Sequence, residues 1–129
     1  MLDHISIAVS DYARSKSFYT RALAPLGIAL IMEVDTSAGA SGQHGGLGSD
    51  GKPYFWIGTG GLPQTGVHVA FAAATRAKVR EFYDAALAAG GRDNGPPGLR
   101  THYHPHYFGA FVLDPDGHNI EAVCHTPDG

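Results

Sequence analysis

At 129 residues, with a formal net charge of −3 and no basic run, the chain is sized for one domain, or for two very small modules sharing a core, and is not built to grip nucleic acid. No stretch approaches the roughly 18 apolar residues a spanning helix needs, and Met1-Leu2-Asp3-His4 lacks the basic-then-apolar order of a secretory signal. The single Cys124 can form no internal disulfide, which fits a reducing, cytoplasmic compartment.

Residues 3 to 9 read as a strand, with Ile5, Ile7 and Val9 on one face and His4, Ser6 and Ala8 on the other. Ser10 or Asp11 then offers an N-cap oxygen to an amphipathic helix over 11 to 24, which buries Phe18, Tyr19, Ala22 and Leu23 and stops at Pro25 and Gly27. A strand is expected over 28 to 35. Residues 36 to 52, rich in Gly, Ser and Ala and carrying His44, read as a long loop with room for a short strand. Residues 53 to 58 form another strand, and Gly60, Gly61 and Pro63 mark a boundary between modules of about 1–61 and 62–125.

The second module opens with a strand over 66 to 73, His68 and Ala70 facing away from Val67, Val69 and Phe71. Thr75 caps a helix over 76 to 89 with Val79, Phe82, Tyr83, Ala86 and Leu87 on one stripe, ended by Gly90-Gly91. Residues 92 to 106 hold Pro96-Pro97-Gly98 and the run His102-Tyr103-His104-Pro105-His106. Two apolar runs flanking Asp114-Pro115-Asp116-Gly117 then read as a β-hairpin, with His118 beside its turn and outside any cavity. On its second strand Ile120, Ala122 and Cys124 face one way, Asn119, Glu121 and Val123 the other. Glu121 is a carboxylate inside an apolar strand, and such a group needs a cation or hydrogen-bond partner. Residues 126–129 read as a loose tail.

A shift of 64 positions overlays the two halves without a gap: His4 on His68, Ala8 on Ala72, Phe18-Tyr19 on Phe82-Tyr83, Ala22-Leu23-Ala24 on Ala86-Leu87-Ala88, and Gly27 on Gly91. Such a repeat implies two copies of one supersecondary unit, a strand, a helix and then further strands, related by a pseudo-two-fold axis. The same shift puts Glu121 on Ile57, so His4, His68 and Glu121 carry metal-binding side chains at related strand positions. Small residues around both histidines (Ser6, Ala8, Ala70, Ala72) leave room for a cavity into which both would open.

These segments, from Asp3-His4-Ile5-Ser6-Ile7-Ala8-Val9 through Phe18-Tyr19 and His68 to Phe111-Val112-Leu113-Asp114-Pro115-Asp116-Gly117-His118-Asn119-Ile120-Glu121, resemble the vicinal oxygen chelate superfamily, which holds glyoxalase I, bleomycin-resistance proteins, fosfomycin-resistance enzymes and extradiol dioxygenases. The resemblance implies an α+β fold of two βαβββ modules whose curved sheets surround one divalent metal held by His4, His68 and Glu121, a small-molecule substrate and a homodimer. A fourth ligand, the Glu that glyoxalase I carries on the last strand of the first module, has no match among Tyr54, Phe55, Trp56 and Ile57.

Two imidazoles and one carboxylate suit Fe, Mn, Zn or Ni and leave positions for two neighbouring substrate oxygens. With no fourth acid, the candidates for a catalytic base are His104, His106 and Tyr107. Candidates for substrate contact are Ser6, Tyr54, Trp56, Arg100 and Tyr103. The leading expectation is a glyoxalase-like metalloenzyme of lyase, isomerase or dioxygenase type. The alternatives are a metal-free protein that sequesters an aromatic or cationic ligand, and a fosfomycin-type thiol transferase.

Overall fold

The computed structural model describes residues 1–36, 42–61 and 64–127. Strand β1 (Ile5–Ala8) leads into helix α1 (Tyr12–Leu23), a 3-10 turn (Ala24–Leu26), and strands β2 (Ala29–Thr36), β3 (Gly42–Ser49) and β4 (Lys52–Gly58). The second half repeats the plan: β5 (His68–Ala72), α2 (Arg76–Ala88), two short strands β6 (Arg92–Asp93) and β7 (Gly98–Leu99), then β8 (Phe108–Leu113) and β9 (Asn119–Cys124). Each half closes its own sheet in the same order, β1-β4-β3-β2 and β5-β9-β8-β6, with first and last strands parallel. The fold is α+β, built of two βαβββ units. Among the described residues no helix is long and apolar enough to cross a membrane.

The capping residues act as their side chains dictate. Asp11 accepts the Arg14 N–H at 3.1 Å, and Thr75 accepts the Lys78 N–H at 3.1 Å. Gly27, at φ 77°, takes the left-handed conformation that ends the 3-10 turn. The helices and the inner faces of both sheets share one core, in which Tyr19, Phe55 and Phe71 run edge to face from α1 through β4 to β5, with centroids 5.0 and 5.2 Å apart. Ile120, Ala122 and Cys124 point into that core, and Glu121 to the outer face, as the alternation requires.

Three readings change. Residues 42–49, expected as loop, are a full strand; 37–41 lie outside the described residues. Glycine carries little strand propensity, but here it admits neighbours: a Cβ on Gly45 would come within 2.5 Å of the Tyr12 hydroxyl, and one on Gly46 within 2.9 Å of the Trp56 ring. His4 precedes β1 instead of lying in it. The third change is register. Ala70 pairs with Glu121, but Ser6 pairs with Trp56, so the partner of Glu121 across the repeat is Trp56 and not Ile57. Between Leu47↔Phe55 and Gly48↔Pro53, β4 carries one extra residue, Tyr54, and this bulge moves the strand by one place.

The module-two hairpin turn is also the joint between the halves. Asp114, 1 % exposed, accepts the Tyr19 hydroxyl from α1 and, through Oδ1, the N–H groups of Asp116 (2.8 Å) and His118 (2.9 Å). His118 is wholly buried. Its Nδ1 accepts the Val67 N–H at 3.3 Å, which leaves Nε2 to donate to the Ala8 carbonyl of module one at 3.0 Å. The Asp116 carboxylate accepts the Ser10 N–H at 3.2 Å. Tyr19→Phe removes the donor to a buried carboxylate and is expected to cost about 2 kcal/mol, read as a lower urea midpoint at unchanged slope.

Candidate functional site

Strand β9 runs beside β5 and β8, and its outer face carries Glu121 between Ala70 and Phe111. Ala70 is too small to cover it, so the carboxylate opens toward a cleft of about 400 Å³ lined by His68, Tyr103, Tyr107 and Phe111. Glu121 itself is wholly buried and both its oxygens are engaged. Oε1 faces His68 Nε2 at 2.8 Å, and Oε2 accepts the Tyr107 hydroxyl. The His68 side chain, 51 % exposed, stands at the mouth, where β5 begins. A buried carboxylate next to a half-exposed imidazole, in a concave site with aromatic walls, is a chemically competent pair of donors for a cation.

The other candidates separate by location. His4 lies exposed at the start of module one, its Nδ1 2.8 Å from the Asp3 carboxylate, which Lys52 holds at 2.6 Å. That ammonium, and then His4, keep the Asp3 carboxyl below its usual range. The histidines were expected to share one cavity, but His4 is not among the walls of the Glu121 cleft. Among the described residues no three His, Cys, Asp or Glu side chains gather around one point where an ion could sit. The reason is topological: His4 precedes β1 and His68 begins β5, the first strands of two different sheets whose inner faces share the core.

Tyr107 and Tyr103 line the cleft, their rings edge to face at 5.0 Å. The Tyr107 phenol is pushed above its ordinary range, first by burial and then by its hydrogen bond to Glu121, so near neutrality it donates and does not accept a proton. Arg100 spans the Pro96 carbonyl (2.7 Å) and the Phe111 ring (5.4 Å), which ties it to the wall of the cleft. His104 and His106 are exposed and meet edge to face at 5.8 Å, with His125 5.7 Å from His104, outside the residues that line the cleft.

Ser6 and Trp56 share a separate cleft of about 330 Å³ on the outer face of module one, with Ala8, His44 and Gln64. Tyr54, turned by the bulge, does not join them. Its hydroxyl lies 3.1 Å from Ser49 Oγ, and the residue lines a third cleft, of about 440 Å³, between the modules. Two contributors were not anticipated. Phe111 was read as plain hairpin, and Gly109 supplies space: a Cβ there would lie 3.2 Å from Tyr107 Cε1 and 3.3 Å from Glu121 Oε2. A glycine two residues before a strand's aromatic was the available signal for such a close approach.

Residues 1–122 match the family model of the Glyoxalase/Bleomycin resistance protein/Dioxygenase superfamily. Among solved structures, the chain is similar to a glyoxalase/bleomycin resistance protein from Albidiferax ferrireducens T118, at 30% identity and TM-score 0.77, covering 98% of this chain and 99% of that one. It shares its fold with glyoxalase I from Zea mays (20% identity, TM-score 0.74), covering 98% of this chain and 45% of that one. It also shares its fold with a mutant of the genomically encoded fosfomycin resistance protein FosX from Listeria monocytogenes, complexed with Mn(II) and 1S,2S-dihydroxypropylphosphonic acid (20% identity, TM-score 0.69, covering 98% and 90%). Among proteins with curated functions, none matches the chain in sequence.

The elevated Tyr107 phenol has a consequence for stability. A group whose pKa is raised on folding contributes stability that is complete below its unfolded pKa, about 10 for tyrosine, and that fades as pH climbs beyond it. In alkaline urea titrations, Tyr107→Phe should therefore lose less stability than the parent chain once pH passes about 10, and its phenolate absorbance should lack one late-titrating group.

Proposed function

The chain belongs to the Glyoxalase/Bleomycin resistance protein/Dioxygenase superfamily, and from that premise we propose that it is a metal-dependent enzyme of glyoxalase type acting on a small oxygenated molecule. The observation that supports this most is Glu121, a wholly buried carboxylate whose Oε1 lies 2.8 Å from His68 Nε2 at the opening of an aromatic cleft. The donor set fits an ion in part. His68 and Glu121 offer one nitrogen and one oxygen of the kinds that Fe, Mn, Zn or Ni accept, and a third protein ligand has to come from outside this cleft.

His4 is that ligand, supplied by a second copy of the chain. It stands at the repeat position of His68, exposed, just ahead of β1. A homodimer that sets module one of one protomer over module two of the other brings His4 of the partner subunit toward His68 and Glu121. The same contact covers the two outer faces that a single chain leaves open. When bound, the ion supplies Lewis acidity toward two neighbouring substrate oxygens. The chain's own residues do the rest: Tyr107 holds Glu121, Phe111 and Tyr103 wall the cleft against water, and Arg100 beside Phe111 offers positive charge to an anionic substrate group. His104 and His106, in the loop that carries Tyr107, are the imidazoles proposed as the base. The Mn(II) complex of the Listeria protein supports a divalent ion on this scaffold.

Chelator-treated parent protein should gain thermal stability from Mn(II), Zn(II), Ni(II) or Fe(II), and His4→Ala, His68→Ala and Glu121→Gln should each abolish the gain. Because each shared site takes His4 from one chain and Glu121 from the other, mixing His4→Ala with Glu121→Gln subunits should restore one intact site per mixed dimer. A parent chain that no ion stabilises would sink the metal reading. Ion binding without rescue in the mixture would instead place all ligands within one chain.

A second reading, ligand sequestration without metal, draws on a different observation. On module one Trp56 holds the place across from Ser6 that Glu121 holds across from Ala70, and Gly46 beneath leaves the indole seated on the sheet. That platform suits a planar aromatic ligand. Trp56 is the chain's single tryptophan, so its indole N–H signal reports this cleft alone. If this reading holds, a planar ligand such as 2-naphthol shifts that signal saturably and does so equally in His68→Ala; loss of the response in His68→Ala excludes it.

A further inference from the structure

We infer that Tyr107 is a positioning residue: its hydroxyl claims Glu121 Oε2 and leaves Oε1 as the one oxygen the carboxylate can turn to a cation. This rests on the metal reading of the His68–Glu121 pair and says how that pair is set. A carboxylate with both oxygens free can grip an ion through one or two of them, and the choice changes coordination number and therefore which ion fits. Here the two oxygens are not equivalent. Oε1 faces His68 Nε2, and Oε2 is occupied by a neighbouring phenol.

The phenol is itself fixed. The Tyr107 N–H donates to the His104 carbonyl at 3.1 Å, and its own carbonyl accepts the Arg100 N–H at 2.7 Å, closing the 100–107 loop on both sides of the residue. Its ring meets Tyr103 at 5.0 Å and His125 at 5.2 Å, edge to face in both cases. Gly109 completes the arrangement. A Cβ there would sit 3.2 Å from Tyr107 Cε1 and 3.3 Å from Glu121 Oε2, so the glycine leaves phenol and carboxylate uncrowded where they meet. A donor to a ligating carboxylate of this kind typically alters metal affinity by about 10- to 100-fold when removed.

The Tyr107→Phe variant keeps the ring and removes the donor. Cobalt(II) titrated into chelator-treated parent protein should give the intense visible bands of a low-coordinate site. In Tyr107→Phe the bands should weaken as Oε2 joins the ion. Competition titrations should shift the Mn(II)-to-Zn(II) affinity ratio toward manganese by about tenfold, the ion that takes more oxygen ligands gaining over the one that prefers four. A merely structural tyrosine would lower both affinities together and leave the spectrum alone; that result, or an unchanged variant, overturns the assignment while the metal site stands. A parent chain that binds neither cobalt, manganese nor zinc overturns the metal reading and this role with it.

Discussion

The buried carboxylate of Asp114 is the constraint on which the geometry of the molecule turns. A carboxyl group with 1 % exposure is tolerable only if its oxygens find hydrogen-bond partners, and three donors from two parts of the chain supply them: the Tyr19 hydroxyl on α1 and the backbone N–H groups of Asp116 and His118. Burial, reinforced by that carboxylate, lifts the Tyr19 phenol far above its ordinary range, so the donor stays protonated. His118 then reaches from the same turn to the Ala8 carbonyl, and the Asp116 carboxylate to the Ser10 N–H. The linker is stitched to this point as well, through Thr65 to the Asp116 carbonyl and through the Asn119 N–H to the Val67 carbonyl. A turn that looks like a simple reversal thus sets how the two sheets lie, and with them where His4, His68 and Glu121 point.

The pseudo-symmetry is strict in plan and broken in one register. Both sheets share a strand order, and both first strands lie parallel to the last. Module one closes its last hairpin with a two-residue turn, Asp50 and Gly51 both at positive φ, and takes up the difference as a bulge at Tyr54. Module two uses the longer Asp114–His118 turn and no bulge in that pair. One extra residue in a strand sends every later side chain to the other face. The outer face of module one therefore receives Trp56 where module two presents Glu121, and Ile57, the position a rigid shift of the sequence selects, goes to the core.

The two modules, their helices with caps and core stripe, and the outward face of Glu121 were all legible, because period and repeat are written directly in residue types. The glycine-rich strand β3 was not. Its glycines are placed by what lies across from them, the Tyr12 hydroxyl and the Trp56 ring, and a propensity scale sees only that glycine is a poor strand former. His118 was placed outside the cavity, but its burial and its hold on both modules were invisible, since a histidine's partners 51 and 110 residues away leave no local mark. Tyr107 was read as a possible base because phenols can serve as one; its partner, 14 residues on, makes it a donor. The expected gathering of His4 with His68 in one cleft is not found among the described residues of the single chain. A repeat says that two positions are equivalent, and equivalence places them on matching faces of separate sheets.

A polar row that runs across β5, β9 and the residue just ahead of β8 bears on what the fold is for. Replacing a buried, paired carboxylate with well-packed apolar side chains is often neutral or stabilising, so the row of His68, Glu121 and Tyr107 is a poor investment in stability alone. Module one shows what the same position becomes without that row: Trp56 lies on a sheet thinned by glycine, beside an uncharged serine. Two modules with a common plan have diverged at one register position into an ionic, hydrogen-bonded face and an aromatic one.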